Sequence, residues 1–185
     1  MSNLKNKKII IGISGSIAAY KACEIIRLLI KSGALVTPVM TKNASEFITP
    51  LTIQTLSRNK VYLNMFATDF NWEIEHISIA KKAELLLIAP ATANIIAKIA
   101  SGIADDALTT LVLSVKCPVV ICPAMNSEMY KNPVTQKNIL YLKKVGYHFI
   151  GPEKGELACC DNDIGRMSEP EKILSEILNL KKLHL

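Results

Sequence analysis

The segment Lys7–Lys21, KKIIIGISGSIAAYK, decides the fold of this chain. Its first half is a short β-branched run that ends in glycine, as is typical of a buried parallel strand. Small residues follow, and from Ile17 to Ser32 the apolar positions recur at helical spacing. Gly33 is placed to end that helix. The segment therefore predicts a strand, a tight turn and a helix, the first unit of an α/β fold.

The same alternation continues along the chain. Strands are predicted at 34–40, 84–89, 118–122 and 147–150, and helices at 43–57 with a break at Pro50, 76–83, 92–100, 105–115 and 133–145. An acidic, glycine-containing loop follows, and then a last helix over Glu169–Lys182. This order predicts one Rossmann-like, flavodoxin-type domain over 1–185, with a parallel sheet covered by helices on both faces. Pro38 indicates an edge or irregular position for the second strand.

The composition favours a globular protein of the cytoplasm. Half of the 185 residues are apolar, which is enough for a substantial core. The net charge is +6, but the lysines lie in short scattered groups without interleaved aromatic residues, so nucleic-acid binding is not expected. No apolar run suits a membrane span, and Ile9–Ile13 is too short for a signal peptide. The five cysteines, odd in number and without metal-ligand spacing, predict free thiols and no metal site.

Polar residues gather where the first predicted strand ends, and ligands of parallel α/β sheets bind beyond such ends. Gly15 would let the backbone approach a ligand closely, while Ser14 and Ser16 add hydroxyl donors at a helix start, a setting that binds phosphate. The dinucleotide fingerprint and the P-loop are incomplete, so a mononucleotide such as FMN fits better than NAD or ATP. The alternative is a tight turn without a ligand. Lys21 could meet a phosphate or a carboxylate, or be a solvated surface lysine.

Two later strand ends have similar sequence motifs, IAPATAN and ICPAMNSEM. Thr92 and Asn94 offer hydrogen-bonding groups at a helix start, where capping is their simplest role. Asn126 could also be a cap, but its amide could hold a substrate carboxylate without adding charge. A decarboxylase benefits from that, because a cation would stabilise the carboxylate that must be lost. Met129 could pack against a flavin ring or belong to the core.

Two segments contain candidate acid–base groups. His76 follows an acidic stretch, and a histidine near carboxylates can act as a base near neutral pH or be structural. The loop GELACCDNDIGRM contains the adjacent Cys159 and Cys160. Adjacent cysteines rarely form an unstrained disulfide. The more specific interpretation is therefore a thiol that donates a proton. The simpler interpretation is a flexible surface loop that contains cysteines.

The chain resembles the homo-oligomeric flavin-containing cysteine decarboxylases in words ordered as in that family: GISGSIAAYK, MTK, EIEHI, APATAN, IADDALTT, PAMNSEM and ACCDNDIGRM. The PAMN and AC…GRM words are most similar to the branch that acts on phosphopantothenoylcysteine. The alternatives are a peptidyl-cysteine decarboxylase, a flavin prenyltransferase or a non-catalytic flavin-binding regulatory subunit. Cys160 departs from the family, which usually has glycine there, and its Cβ disfavours positive φ.

The resemblance implies a redox-neutral decarboxylation in coenzyme A biosynthesis. Phosphopantothenoylcysteine would become phosphopantetheine through thioaldehyde and enethiolate intermediates. His76 would be the base, Asn126 would bind the carboxylate and Cys159 would donate a proton. The resemblance also implies a homotrimer or homododecamer, and it makes a phosphopantothenoylcysteine synthetase a candidate partner.

The resemblance further implies a set of contact residues. Beside Asn126 and Cys159, the substrate would contact Lys21, Met129 and Ala158. The residues implied to contact FMN are Gly15, Ser16, Ile17, Thr41, Lys42, Asn43, Thr92, Ala93, Asn94, Ile95 and Ala124.

Overall fold

The computed structural model describes residues 4–63, 78–156 and 162–180. Its main sheet is formed by β1 (Lys8–Ile13), β2 (Leu35–Met40), β3 (Leu85–Ala91), β4 (Val119–Pro123) and β5 (His148–Phe149). These five strands are parallel and lie in the order β2-β1-β3-β4-β5. This is the flavodoxin-like order, in which the winding reverses between β1 and β3. The predicted fold class is confirmed.

Helices connect these strands. They are α1 (Tyr20–Lys31), α2 (Pro50–Ser57), α3 (78–82), α4 (Ala93–Ala100), α5 (Ala107–Ser114), α6 (Ser127–Lys131), α7 (Pro133–Lys144) and α8 (Pro170–Leu180). Short 3₁₀ turns at Ile17–Ala19 and Lys42–Glu46 precede α1 and α2, so the predicted first helix begins as a tighter turn. Among the described residues, no helix is both long and apolar enough to cross a bilayer.

The core is divided in two by the sheet. Alternate residues of β1 face opposite sides, because side chains of a strand alternate. Ile9, Ile11 and Ile13 pack into the cluster that contains α1 and α8. Ile10 packs into the cluster that contains α4, α5 and α7. Burying one isoleucine side chain completely contributes about 1.5–3 kcal/mol. From Ile9 to Ile13, β1 is therefore apolar and covered on both faces.

The edge position predicted from Pro38 is confirmed. Pro38 lies in β2, the first strand in the order of the sheet, and its partner on β1 is Ile11. The N–H of Tyr62 donates to the carbonyl of Pro38 at 3.0 Å, beside an isolated bridge between Val39 and Tyr62. A proline is tolerated here because it supplies a carbonyl where no N–H is needed.

The prediction of a loop before the last helix is wrong for the described residues of that segment. The structure instead has an antiparallel hairpin of β6 (Glu153–Glu156) and β7 (Asn162–Arg166), with Glu156 opposite Asn162. The words EKGE and NDIGR are polar and glycine-containing, so they show no apolar alternation that would indicate strands. The short helix α6 was also not predicted, because five residues are too few to show a helical period.

Candidate active site

A cavity of about 400 Å³ lies at the carboxyl ends of the central strands, a size common for small-molecule sites. It lies where the winding of the sheet reverses, as the strand-end argument predicts. Its lining includes many of the residues singled out in the sequence: Gly15, Thr41, Lys42, Asn43, Thr92, Asn94, Ile95 and Met129. It also includes residues that were not among the implied contacts: Ser14, Lys98, Asp105 and Asp106.

Ser14 ties the first strand end to the third. Its hydroxyl donates to the carbonyl of Pro90 at 2.8 Å and accepts from the N–H of Thr92 at 3.1 Å. Ser14 is 2% exposed, so both bonds are shielded from water. The hydroxyl predicted as a ligand donor therefore holds the cavity wall in shape.

Gly15 is required where the first and second loops meet. A Cβ on Gly15 would lie 2.6 Å from the Cβ of Asn43 and 2.9 Å from its carbonyl oxygen. Both distances are well inside van der Waals contact, so a larger residue would push the loops apart. The close approach that the structure shows at Gly15 is to a neighbouring loop of the same cavity, and its approach to a ligand stays a prediction.

Three hydroxyl side chains cap the helical turns around the cavity. Ser16 accepts from the N–H of Ala18 at 3.2 Å, while Thr41 and Thr92 each accept at 3.3 Å from the N–H three residues on. The capping role expected of Thr92 is confirmed. Lys42 follows Thr41, and within the described ranges it has no ion-pair partner. Its ammonium adds a positive charge to the cavity wall, which also includes Asp105 and Asp106.

Lys98, Asp105 and Asp106 form a charged cluster in the lining. The Lys98 ammonium lies 2.8 Å from both carboxylate oxygens of Asp105 and 3.8 Å from Asp106. The hydrogen bond between Lys98 and Asp105 raises the pKa of the lysine and lowers the pKa of the aspartate. Asp106 also caps α5 in a capping box with Thr109. In the sequence, only the motif DALT indicated this cluster, because it has the spacing of a capping box. Lys98 by itself resembles a solvated helical lysine.

Asn126 lies between β4 and α6 and caps that helix. Its Oδ1 accepts from the N–H of Glu128 at 2.8 Å, which fixes the orientation of the side-chain amide. Met129, on the same short helix, lines the cavity and is 49% exposed. The capping interpretation of Asn126 is confirmed, and the turn that it caps adjoins the cavity.

The β6–β7 hairpin packs against this turn. The N–H of Met125 donates to the carbonyl of Gly165 at 3.0 Å. A Cβ on Gly165, whose φ is +145°, would lie 2.2 Å from the carbonyl oxygen of Met125. Lys131 and Asp163 form an ion pair across the same contact. The PAMN and GRM words, far apart in sequence, therefore meet beside the cavity.

Several predicted residues lie outside the described residues. These are His76, Ala158, Cys159 and Cys160. The lining also does not include Ser16, Ile17, Ala93, Ala124 or Asn126. Their contacts with a ligand stay predictions.

Lys21 is buried, so its interpretation as a solvated surface lysine is wrong. Its ammonium donates to the carbonyl of Met167 at 3.2 Å and pairs with Glu169 at 3.0 Å. This bond, assisted by Arg166, lowers the pKa of Glu169. Lys21 thus meets a carboxylate of its own chain and does not belong to the cavity lining.

The family comparison agrees with this architecture. The Flavoprotein family matches residues 1–182, so the chain belongs to that family and is a flavoprotein.

Individual relatives give a more specific similarity than the family does. The coenzyme A biosynthesis bifunctional protein CoaBC of Borreliella burgdorferi is 52% identical over 175 residues, which cover 95% of this chain and 45% of the relative. The chain therefore spans less than half of that protein's length. A probable phosphopantothenoylcysteine decarboxylase of Streptococcus mutans is 46% identical over 173 residues, which cover 92% of this chain and 97% of the relative.

Solved structures share the fold closely. A PPC decarboxylase mutant complexed with pantothenoylaminoethenethiol has a TM-score of 0.87 at 29% identity, over 96% of this chain and 100% of the other. The FMN binding protein AtHal3 has a TM-score of 0.82 at 30% identity, over 98% and 100%. A peptidyl-cysteine decarboxylase, EpiD, has a TM-score of 0.79 at 30% identity, over 94% and 99%.

Proposed function

We propose that the chain is an FMN-dependent phosphopantothenoylcysteine decarboxylase, which forms 4′-phosphopantetheine in coenzyme A biosynthesis. The observation that carries the proposal is that the Asn126 turn and the β6–β7 hairpin meet beside a strand-end cavity of about 400 Å³. The similarity to the Streptococcus mutans decarboxylase, along 97% of that protein, supports this choice of substrate.

The residues present fit FMN. The cavity has room for a mononucleotide, and its wall offers the Lys42 ammonium and the Asn43 amide beside the close-packed Gly15. Gly15, Ser16 and Ile17 would hold the phosphate, as the resemblance implies, and Lys42 would add a positive charge from the next loop of the cavity. Thr92, Asn94 and Ile95 would contact the flavin from the third strand end. A bound flavin supplies a reversible two-electron acceptor for the carbon next to the substrate sulfur.

Asn126 would bind the cysteinyl carboxylate. Because its Oδ1 faces the N–H of Glu128, the amide nitrogen is the end that can donate to an acceptor. A neutral donor orients the carboxylate without the ground-state stabilisation that a cation would add. Met129 would pack beside the substrate, since it lines the cavity from the same short helix.

The proton transfers are assigned by the resemblance. His76 would act as the base, and Cys159 would donate a proton to the enethiolate carbon after carbon dioxide leaves. Ala158 would contact the substrate beside that thiol. Lys21 would contact the substrate only after its ion pair with Glu169 had broken. We therefore assign Lys21 a structural role before a role in substrate binding.

The proposal extends to the assembly. A homotrimer or homododecamer in the cytoplasm is expected from the resemblance, with a phosphopantothenoylcysteine synthetase as candidate partner. The bifunctional relative supports that partner, because this chain matches only 45% of its length.

The test is direct. The purified protein is loaded with FMN, its visible spectrum is recorded, and the mass of the product from phosphopantothenoylcysteine is measured. We expect a yellow protein that releases carbon dioxide and yields phosphopantetheine. Cys159→Ser should accumulate an oxidised, decarboxylated product, while Cys160→Ser should turn over normally.

Other outcomes are equally informative. A yellow protein that is inert on this substrate but decarboxylates a peptide with a C-terminal cysteine would replace the substrate assignment. A protein that cannot be loaded with FMN would overturn the cofactor.

A further inference from the structure

The contact between the hairpin and the Asn126 turn has a backbone part and a side-chain part. The backbone part is the 3.0 Å bond from the Met125 N–H to the Gly165 carbonyl. The side-chain part is the ion pair of Lys131 with Asp163, two residues that are 32 positions apart in sequence. Lys131 is the last residue of α6, and Asn126 caps the start of that helix. The ion pair therefore fixes the opposite end of the helix that Asn126 begins.

Asp163 is oriented for this partner. Its Oδ1 accepts from the N–H of Ile164 at 2.7 Å, and its Oδ2 contacts Lys131. Among the described residues, the charged groups that act on it are Lys131 on α6 and Lys154 on β6, and Glu128 lies 3.7 Å from Lys131. The bond to Lys131 lowers the pKa of Asp163 and raises that of the lysine, so both partners stay charged at neutral pH.

The short helix α6 depends on such a contact. A helix of five residues is marginal by itself, so its direction is set by tertiary contacts. Met129, on the same helix, lines the cavity, so a tilt of α6 would move both Met129 and Asn126 relative to the ligand. The other side of this contact with α6 is β7, the strand that contains Asp163. Residues 157–161 join β7 to β6 in sequence.

We propose that Lys131 and Asp163 are positioning residues, whose ion pair holds α6 against the β6–β7 hairpin and sets how tightly Asn126 binds the substrate carboxylate. This inference rests on the proposed function. Neither residue belongs to the cavity lining. Their effect therefore falls on substrate binding and on the backbone contact, and not on the chemical step.

The test uses the FMN-loaded enzyme and phosphopantothenoylcysteine. Lys131→Met and Asp163→Asn should each raise KM by about 1.5- to fivefold, the range expected for one exposed ion pair, with kcat nearly unchanged. The charge-exchanged double variant, Lys131→Asp with Asp163→Lys, should recover most of the loss. Glu128→Gln is the matched control, because it removes the weaker 3.7 Å neighbour of Lys131 and leaves the pair intact. It should behave as wild type.

A second measurement does not depend on activity. Amide hydrogen exchange at Met125 should quicken in both single variants by a factor similar to the rise in KM, and stay unchanged in Glu128→Gln. An active wild type whose KM is the same in all variants would overturn the inference. So would a raised KM with unchanged exchange at Met125, which would mean that the pair acts on the substrate directly. An inert wild type would overturn the proposed function instead. The exchange rates at Met125 would then still test whether the ion pair holds α6 against the hairpin.

Discussion

At the residue scale, Asn126 combines two roles that a single substitution can separate. Its Oδ1 caps α6, and the proposed substrate contact uses its amide nitrogen. Aspartate caps a helix as well as asparagine does, but it offers no donor and repels a carboxylate.

We therefore expect Asn126→Asp to fold normally and to lose decarboxylation. The loss should be at least about a hundredfold in kcat/KM, because one donor is replaced by a repulsive charge. Thermal unfolding and steady-state kinetics check this, with Asn132→Asp as the control. Asn132 caps α7 through the N–H of Val134 at 2.9 Å, and its replacement should change neither. Full activity in Asn126→Asp would leave Asn126 with its capping role alone.

Gly165 tests the approach of the hairpin to Met125. Gly165→Ala would place a methyl group 2.2 Å from a carbonyl oxygen and force a non-glycine residue to φ of +145°. We expect a loss of about 1–3 kcal/mol in the free energy of unfolding from the strained φ, and more from the clash.

Gly146→Ala is the matched control. Gly146 also has positive φ, at +99°, but no atom lies within 4 Å of its ideal Cβ. Denaturant unfolding of both variants separates strain from clash. Equal losses would mean that the hairpin does not press on Met125.

At the element scale, the cavity depends on how loops from separate strands fit together. Gly15→Ala should lower FMN affinity, because the new Cβ meets Asn43 backbone and side-chain atoms at 2.6–2.9 Å. We expect at least about a tenfold rise in the FMN dissociation constant, which corresponds to about 1.4 kcal/mol. Thr49→Ala removes a cap of the same length, 3.2 Å, from α2, none of whose residues lines the cavity, and it serves as the comparison. Flavin fluorescence titration measures both.

The elements that sequence could predict are those with a repeated apolar pattern. Strand β1 and helix α1 were predictable because isoleucines recur at a fixed spacing and a glycine follows. Gly15, Thr92 and Asn94 were predictable because ligand sites of parallel sheets lie at strand ends. The β6–β7 hairpin could not be predicted in this way, since its residues pair with each other and carry charges in place of an apolar face. Lys98 was missed because its partner, Asp105, lies beyond the end of its helix.

At the scale of the whole molecule, three carboxylates with lowered pKa cluster in one region, apart from Asp105 in the cavity lining. Glu153, Asp163 and Glu169 each lie on the hairpin or just after it, and each is hydrogen-bonded to a lysine that lowers its pKa. A lowered pKa in the folded state means that the stabilisation is complete above the ordinary carboxyl pKa. It is lost as pH falls through the lowered value.

We therefore expect the hairpin to loosen below about pH 4, before the parallel sheet does. The central strands β1, β3 and β4 are held by apolar burial, which does not titrate. Amide protection factors between neutral and acidic pH, corrected for the intrinsic exchange rate, check this prediction. Loss of protection in β1 and β7 at the same pH would contradict it.

The buried contact of Lys21 with Met167 and Glu169 has a consequence for biosynthesis. Lys21 lies in the first helix, and its partners lie close to the last one. A nascent chain that has emerged only as far as the main sheet has neither partner, so the ammonium must stay in water and cannot yet be buried. Leaving such a charge unpaired is costly. The first helix can therefore settle into its final packing only when the ribosome has released the segment around residue 169, so the order of synthesis and the order of folding differ.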